Sequence, residues 1–396
     1  MIQYIILAII LTYCFFILYF KIKYKFWSRQ PVFHYHNLWY WLFPPGIIEH
    51  IPPKGEKFFD RTVITTKFDL LTKYQKNSVF NLIHTYYLRD KDVHYSPNKN
   101  AVLSYLINHS QPSFISLFYK KNPLFDISNQ QSIISKKLVS VMTSRILNCH
   151  LSNQDIFINY VDYLCVNKNY RKKGIAPKVI YTHCSRVRNN SKNLIFLFKR
   201  ETSLTSIVPL TTYYTYGFDT KYWKYGIKPM VQYPHLIITS QNFHLFYHLM
   251  EKIKKYFTCT IYPAFSHIQY LIKQKLIFIY IILHKDEPVA CYFFRNPFTF
   301  YKKENIVGNS VDCFASFFDK EKLNHVIFSY YFHLSLFKIQ QFYKFKFILI
   351  ENISDNNFII QNIFERYTPT IKCPTAYYFY NFAYRPQLSD KIFIIN

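Results

Sequence analysis

Six residues with the character of a buried strand, Val161-Asp162-Tyr163-Leu164-Cys165-Val166, run directly into a basic segment, residues 167–173. Gly174 follows, and then apolar residues recur at 175, 179, 180, 184 and 187, the spacing of one helical face. A strand delivered into a helix N-terminus through a glycine is a narrow architectural choice. The first turn of a helix offers unpaired N–H groups and a partial positive charge, and a glycine lets an anionic group approach the backbone. Arg171, Lys172 and Lys173 add full charges, and Pro177 falls in the first turn, where proline is tolerated. The plain alternative is a solvated basic turn ahead of an ordinary helix.

The rest of the chain supplies a core around this unit. Half of its 396 residues are apolar and 18% are charged, which excludes a disordered tail or a small disulfide-stapled module. Forty-nine Lys and Arg against twenty-two Asp and Glu leave a formal charge of +27, a bias toward nucleic acid, anionic lipid or a phosphorylated cofactor. Thirty-seven Tyr, forty Phe and six Gly also fit an AT-rich coding bias, so charge alone assigns no function. No nucleic-acid-binding motif accompanies it, and specific nucleic-acid binding is not expected. The eight cysteines have no close pair at metal-ligand spacing, so buried free thiols in a reduced compartment are expected and no metal. His34 and His36 can share a strand face but have no neighbouring Cys or carboxylate. His183 and Cys184 are adjacent on a helix and read as packing.

Residues 1–20 contain no charged side chain. As a helix they would extend about 30 Å, the thickness of a bilayer core. A basic start and a small-residue cleavage site are both missing, so a retained transmembrane anchor is expected rather than a cleaved signal. Lys21, Lys23 and Lys25 place the downstream chain on the cytosolic side. Beyond it, the proline-rich residues 40–57 read as an extended wrapping segment. Helices are expected over 76–88, from Ser96-Pro97 onward, and over 175–187, 244–256 and 325–337. Strands are expected over 138–147, 156–166, 276–283, 289–294 and 345–350. This is mixed α+β in two comparable halves.

Arg171-Lys172-Lys173-Gly174-Ile175-Ala176 fits the R-x-x-G-x-A pattern of the acetyltransferase-like (GNAT) fold. The sequence further resembles the N-myristoyltransferase (glycylpeptide N-tetradecanoyltransferase) family in several stretches that occur in order. Tyr24-Lys25-Phe26-Trp27, continuing to Val32, is similar to the block lining the acyl-CoA site. Tyr87, Asp90 and Asp92, with Tyr95-Ser96-Pro97, resemble the acidic loop and the helix after it. Asp162 to Lys168 is similar to the N-F-L-C-V-H-K signature, and the match continues through Pro177. Weaker echoes are Tyr213-Tyr214, Asn356-Asn357-Phe358 and residues 391–396.

The resemblance implies two pseudo-symmetric halves sharing a saddle-shaped sheet: an anchor at 1–20, an acyl-CoA-binding half at 21–210 and a peptide-binding half at 211–396. The implied activity is transfer of a myristoyl group from CoA to the amino-terminal glycine of a protein, by a monomer. The donor site would comprise Tyr24, Lys25, Phe26, Trp27, Cys165, Val166, Arg171, Lys172, Lys173, Gly174, Ile175, Ala176 and Pro177. The acceptor site would comprise Tyr87, Asp90, Asp92, Asp162, Tyr213 and Asn356. The backbone N–H groups of Tyr163 and Leu164 would form the oxyanion hole, and the carboxylate of Asn396 would be the base, made more basic by burial among apolar neighbours.

The family pattern is not followed everywhere. Asp162 stands where the family has Asn, Arg89 and Lys91 interrupt the acidic loop, and residues 363–371 lack the family's glycine-rich signature. A threonine near the amine falls at about Lys199 or Thr202. Acyl transfer to another amine, and a non-catalytic acyl-CoA-binding scaffold, therefore stand beside the leading expectation.

Overall fold

The computed structural model describes residues 1–396 except 54, 90–91, 127–130, 153, 202–205, 222, 224–228 and 304–305. Asp90, Lys91 and Thr202 lie outside the described residues.

In chain order, α1 (Ile2–Lys23) leads to α2 (Leu38–Leu42), β1 (Gly46–Ile47), β2 (Ile64–Lys67), α3 (Lys73–Tyr86), β3 (Val93–Tyr95) and α4 (Lys99–Ser104). Then come β4 (Phe114–Asp126), β5 (Gln131–Leu151), β6 (Gln154–Val166), α5 (Ile175–Asn190), β7 (Phe196–Glu201) and β8 (Thr211–Asp219). After β9 (His235–Ile237), α6 (His244–Tyr256), β10 (Cys259–Tyr262) and α7 (Phe265–Lys273), the pattern recurs. It runs through β11 (Ile277–His284), β12 (Glu287–Arg295), β13 (Thr299–Lys303), β14 (Ile306–Phe318), α8 (His325–Gln340) and β15 (Phe347–Glu351). The chain closes with α9 (Asn356–Phe364), β16 (Ile371–Tyr380), β17 (Phe382–Ala383) and β18 (Ile392–Ile394).

One mixed sheet dominates, and its middle runs β5-β6-β7-β16-β8-β15-β14-β12-β11. β5–β6 is antiparallel, β6–β7 parallel and β7–β16 antiparallel. β12–β14, β14–β15 and β15–β8 repeat the same three relationships, and β16 meets β8 antiparallel at the centre. Each run thus borrows its last strand from the other. The register of the repeat is strict: the offset that carries Arg145 onto Arg295 carries Asp162 onto Asp312, Glu201 onto Glu351 and α5 onto α8.

Local chemistry explains the elements. α3 starts at a capping box in which Thr72 Oγ1 accepts from the Gln75 N–H and Gln75 Oε1 accepts from the Thr72 N–H. β11 and β12 are apolar on both faces because helices cover both sides of the sheet there. α8 lies on one side, with Phe328 and Phe332 against Tyr292, and α6 lies on the other, with Phe246 against Phe293. The cysteines at 149, 165, 184, 259, 291 and 313 are buried free thiols. The proline-rich stretch is less irregular than expected: α2 begins just before it, and β1 pairs with β17. Among the described residues, α1 is the one helix long and apolar enough to cross a membrane, and none of its 22 residues is buried.

Candidate active site

The strand–loop–helix unit forms as expected, and its geometry makes a cleft. α5 is capped by Gly174 at φ +72°, a left-handed conformation that glycine adopts without strain, and Lys172 is also left-handed at +62°. Both lie in or at the end of the basic loop, and residues 170–172 of that loop share a cleft with the helix N-terminus. The cleft holds about 530 Å³ and is lined by residues 164–166 of β6, 170–172 of the loop, 174–177 of α5, and 86–88 where α3 ends. Arg171 closes one wall by donating from Nε to the Val166 carbonyl at 3.1 Å and from Nη2 to the Tyr86 carbonyl at 2.7 Å. Tyr170 is flanked by the Lys120 and Lys173 ammonium groups, 5.2 and 5.4 Å from its ring centre. An anion at the α5 N-terminus would therefore meet amides and lysines together. Burial pushes the Cys165 thiol up to about 12, which leaves it a neutral wall rather than a nucleophile.

A β-bulge lies immediately before the cleft. Met142 pairs with Leu164 and Ser144 with Val161, so Asp162 and Tyr163 together face Thr143 alone. Pairing between β6 and β7 also ends there, at Val161 opposite Phe198. The strands part just before the two residues, 163 and 164, whose N–H groups the resemblance expects as backbone donors. The Tyr163 N–H, however, already donates to Thr143 Oγ1 at 3.1 Å. Its phenol, an addition relative to the family's Phe, is satisfied by the Tyr95 hydroxyl at 2.9 Å, and its ring packs edge-on against Tyr87.

Beyond the bulge is a buried ionic network. Arg145 donates from Nε to both oxygens of Asp162 at 3.0 Å, and its guanidinium lies over the rings of Tyr105 and Tyr160. Arg295 donates to Asp312 at 3.1 Å, to Glu351 at 2.9 Å and to the side-chain carbonyl of Asn396 at 2.8 Å. Lys199 reaches the same Glu351 oxygen at 2.9 Å, and Tyr213 donates to the other. Burial raises the Asp162 carboxyl against the opposing pull of Arg145. Burial likewise takes Asp312 up to about 6 against Arg295. Burial by itself would lower the Lys199 ammonium, but Glu351, with Glu201 behind it, outweighs burial and leaves it raised. Among the described residues, Arg145 Nη1 and Asp312 Oδ1 are buried polar atoms without partners.

Of the expected donor residues, Cys165, Val166, Arg171, Lys172, Gly174, Ile175, Ala176 and Pro177 line the cleft, as does Leu164. Tyr87, expected at the acceptor, lines it too. Trp27 stacks on Phe198 of β7 and Phe26 packs on Trp27 and Phe58, while Tyr24 stacks back on Phe20 and Lys25 is exposed. Asp92 is exposed beside β3, its carbonyl accepting from the Lys302 N–H. Asn356 is fully buried and donates to the Cys313 and Glu351 carbonyls, so it braces Glu351.

Asn396 is buried, donating from Nδ2 to the hydroxyls of Tyr160 and Tyr377 at 2.6 and 3.0 Å. Its surroundings differ from the apolar ones expected, because Arg295 Nη1 also reaches its main-chain oxygen at 3.4 Å. Arg145, Arg295 and Asp312 were missed. Their signal was a lone charge within or at the end of an apolar strand, and the common offset between the pairs.

No protein-family model matches the chain, and no curated protein sequence matches it. Its fold does match solved structures. A crystal structure of Saccharomyces cerevisiae N-myristoyltransferase with bound myristoyl-CoA is 14% identical, covers 92% of this chain and 94% of its own, and has a TM-score of 0.68. A second, also with bound myristoyl-CoA, has 14% identity, coverage of 92% and 89%, and a TM-score of 0.67. A third, with myristoyl-CoA and inhibitors, has 13% identity, coverage of 92% and 91%, and a TM-score of 0.67. The chain has an N-myristoyltransferase-like fold.

Proposed function

We propose that this chain is a membrane-anchored acyltransferase that moves a fatty acyl group, myristoyl by resemblance, from CoA to the amino-terminal glycine of a protein. The observation that carries this reading is the coincidence of three features at one place. They are the β6 bulge, the basic loop that ends at the Gly174 cap, and the cleft both border. All three sit in a fold whose solved neighbours hold myristoyl-CoA.

In this reading residues 21–210 hold acyl-CoA and 211–396 supply most of the acceptor site, interlocked by the exchanged strands. The pyrophosphate lies at the α5 N-terminus beside Lys172 and Lys173. The thioester carbonyl replaces Thr143 Oγ1 as acceptor for the Tyr163 N–H, with the Leu164 N–H beside it. The glycine nitrogen bonds to the carbonyl carbon, the C–S bond breaks, CoA departs as thiolate, and a carboxylate takes the amine proton. Residues 1–20 span the bilayer, and the lysines at 21, 23 and 25 keep the body cytosolic.

Of the three carboxylates around Arg295, those of Asn396 and Asp312 compete for the base role. That of Asn396 is the one the resemblance implies, and Arg295 Nη1 lies 3.4 Å from its main-chain oxygen. Asp312 has a free oxygen and a carboxyl near 6. Appending one glycine after Asn396, and separately making Asp312→Asn, tests them. The variant that loses transfer while binding a non-hydrolysable myristoyl-CoA analogue normally identifies the base. Failure of the wild-type chain to bind that analogue would sink the donor reading.

A further inference from the structure

The body does not begin where α1 ends. Tyr13, in the middle of the helix, donates its hydroxyl to the His36 carbonyl at 2.7 Å, and Phe20 packs on the His36 ring. Tyr13, Ile17, Phe20 and Tyr24, which share one helical face, are half-buried, whereas residues 1–12 are exposed throughout. Twelve residues rise about 18 Å, well short of the roughly 30 Å hydrocarbon core. An anchor that crosses the bilayer must therefore draw its second half into the membrane together with the segment packed on it.

That segment is built for such a place. The inner face of α2 docks on the body through Tyr40 and Trp41 against Phe33, and Arg385 grips the Trp41 and Leu42 carbonyls at 3.0 Å each. Its outer residues, Leu38, Trp39, Leu42 and Phe43, are 58%, 67%, 65% and 58% exposed, contiguous and uncharged. Rigidly held apolar and aromatic side chains facing outward, beside a helix of membrane-spanning length and the lysines at its end, match the chemistry of the membrane interface.

We propose that α2 is a second membrane-seated element, its outer face sunk into the acyl region of the leaflet nearest the body alongside residues 13–20 of α1. This rests on the reading of α1 as a span. The body is then fixed in depth and orientation, with the Trp27–Phe198 stack close to the lipid surface.

The test uses the full chain reconstituted in phosphatidylcholine vesicles, where electrostatic adsorption is removed. One variant keeps native Cys14 for a nitroxide label, with Cys373→Ser; a second carries Cys14→Ser, Cys373→Ser and Trp39→Cys; a third uses Leu42→Cys in place of Trp39→Cys. The expected result is that labels at 39 and 42 lose collisions with a water-soluble nickel chelate and gain them with oxygen, as the label at 14 does. A membrane signal at 14 with water-like signals at 39 and 42 overturns the proposal while leaving the anchor intact. Water-like signals at all three overturn the spanning reading and this proposal with it.

Discussion

Arg145 grips Asp162 through a single nitrogen, Nε lying 3.0 Å from both carboxylate oxygens, and Arg295 meets Asp312 across the same 17-residue separation in the repeat. The first pair sits at the bulge where the sheet opens. Asp162, which stands where the family it resembles has Asn, is thus matched by a buried cation. An isolated carboxylate there would face the desolvation cost alone.

Arg145→Met should destabilise the full chain by about 3–5 kcal/mol, because it strands a buried carboxylate. Adding Asp162→Asn should restore most of that loss. Urea unfolding of the two single variants and the double variant in detergent checks it. Additive losses would show that the two residues do not act as a pair.

Thr143→Val removes the acceptor that occupies the Tyr163 N–H, with little change of shape. Stability should fall by about 1–3 kcal/mol, the cost of an unpartnered buried donor. Acyl transfer should persist, since a bound thioester carbonyl would take the same N–H. A drop of about two orders of magnitude in kcat with KM unchanged would assign the hydroxyl a role in the chemistry itself.

Asp355 accepts from the Phe318 N–H, and burial pushes its carboxyl from 3.8 up to about 7. A carboxyl raised on folding makes the native state bind the extra proton. Stability is therefore greatest below the unfolded pKa and falls as pH rises from about 4 to 7, by at most about 1.4 kcal/mol per pH unit. Asp355→Asn, which keeps an acceptor, should flatten that slope in thermal melts across the window. An unaltered slope would place the pH dependence elsewhere.

How much of this was legible in sequence depended on whether the signal was local. The helix over 244–256 was readable to its ends, because its apolar stripe and flanking residues suffice. The basic loop and the Gly174 helix start were equally local, whereas the cleft beside them needs residues 86–88 brought in from the end of α3. The β4–β5 hairpin was missed in large part: Lys120, Lys121, Lys136 and Lys137 interrupt any alternation, and the hairpin is recognised only once the strands pair. β8 and β16, rich in Thr and Tyr, acquire meaning by pairing across the centre of the sheet. The Arg295 network gathers residues from β12, β14, β15 and the chain end, a juxtaposition no window of sequence contains.

At the cleft proposed for the donor the three basic residues should separate by role. Lys172→Glu with Lys173→Glu reverses charge beside the α5 N-terminus and should weaken myristoyl-CoA binding in a salt-dependent way, with little effect on melting. Arg171→Ala should lower both affinity and melting temperature, because its guanidinium ties the loop to the Val166 and Tyr86 carbonyls. Calorimetric titration and thermal melts at two ionic strengths separate the cases. Equal effects on melting would refute the division.

The central claim, acyl transfer and not acyl-CoA binding alone, is tested by one single-turnover experiment. The full-length protein in detergent is loaded with myristoyl-CoA and mixed with a peptide beginning in glycine, or with the same peptide N-acetylated, and products are weighed by mass spectrometry. The account predicts one acyl chain on the free-amine peptide, an equal amount of released CoA, and no modification of the acetylated peptide. Bound myristoyl-CoA left intact in the presence of both peptides would contradict it and make the chain an acyl-CoA-binding protein.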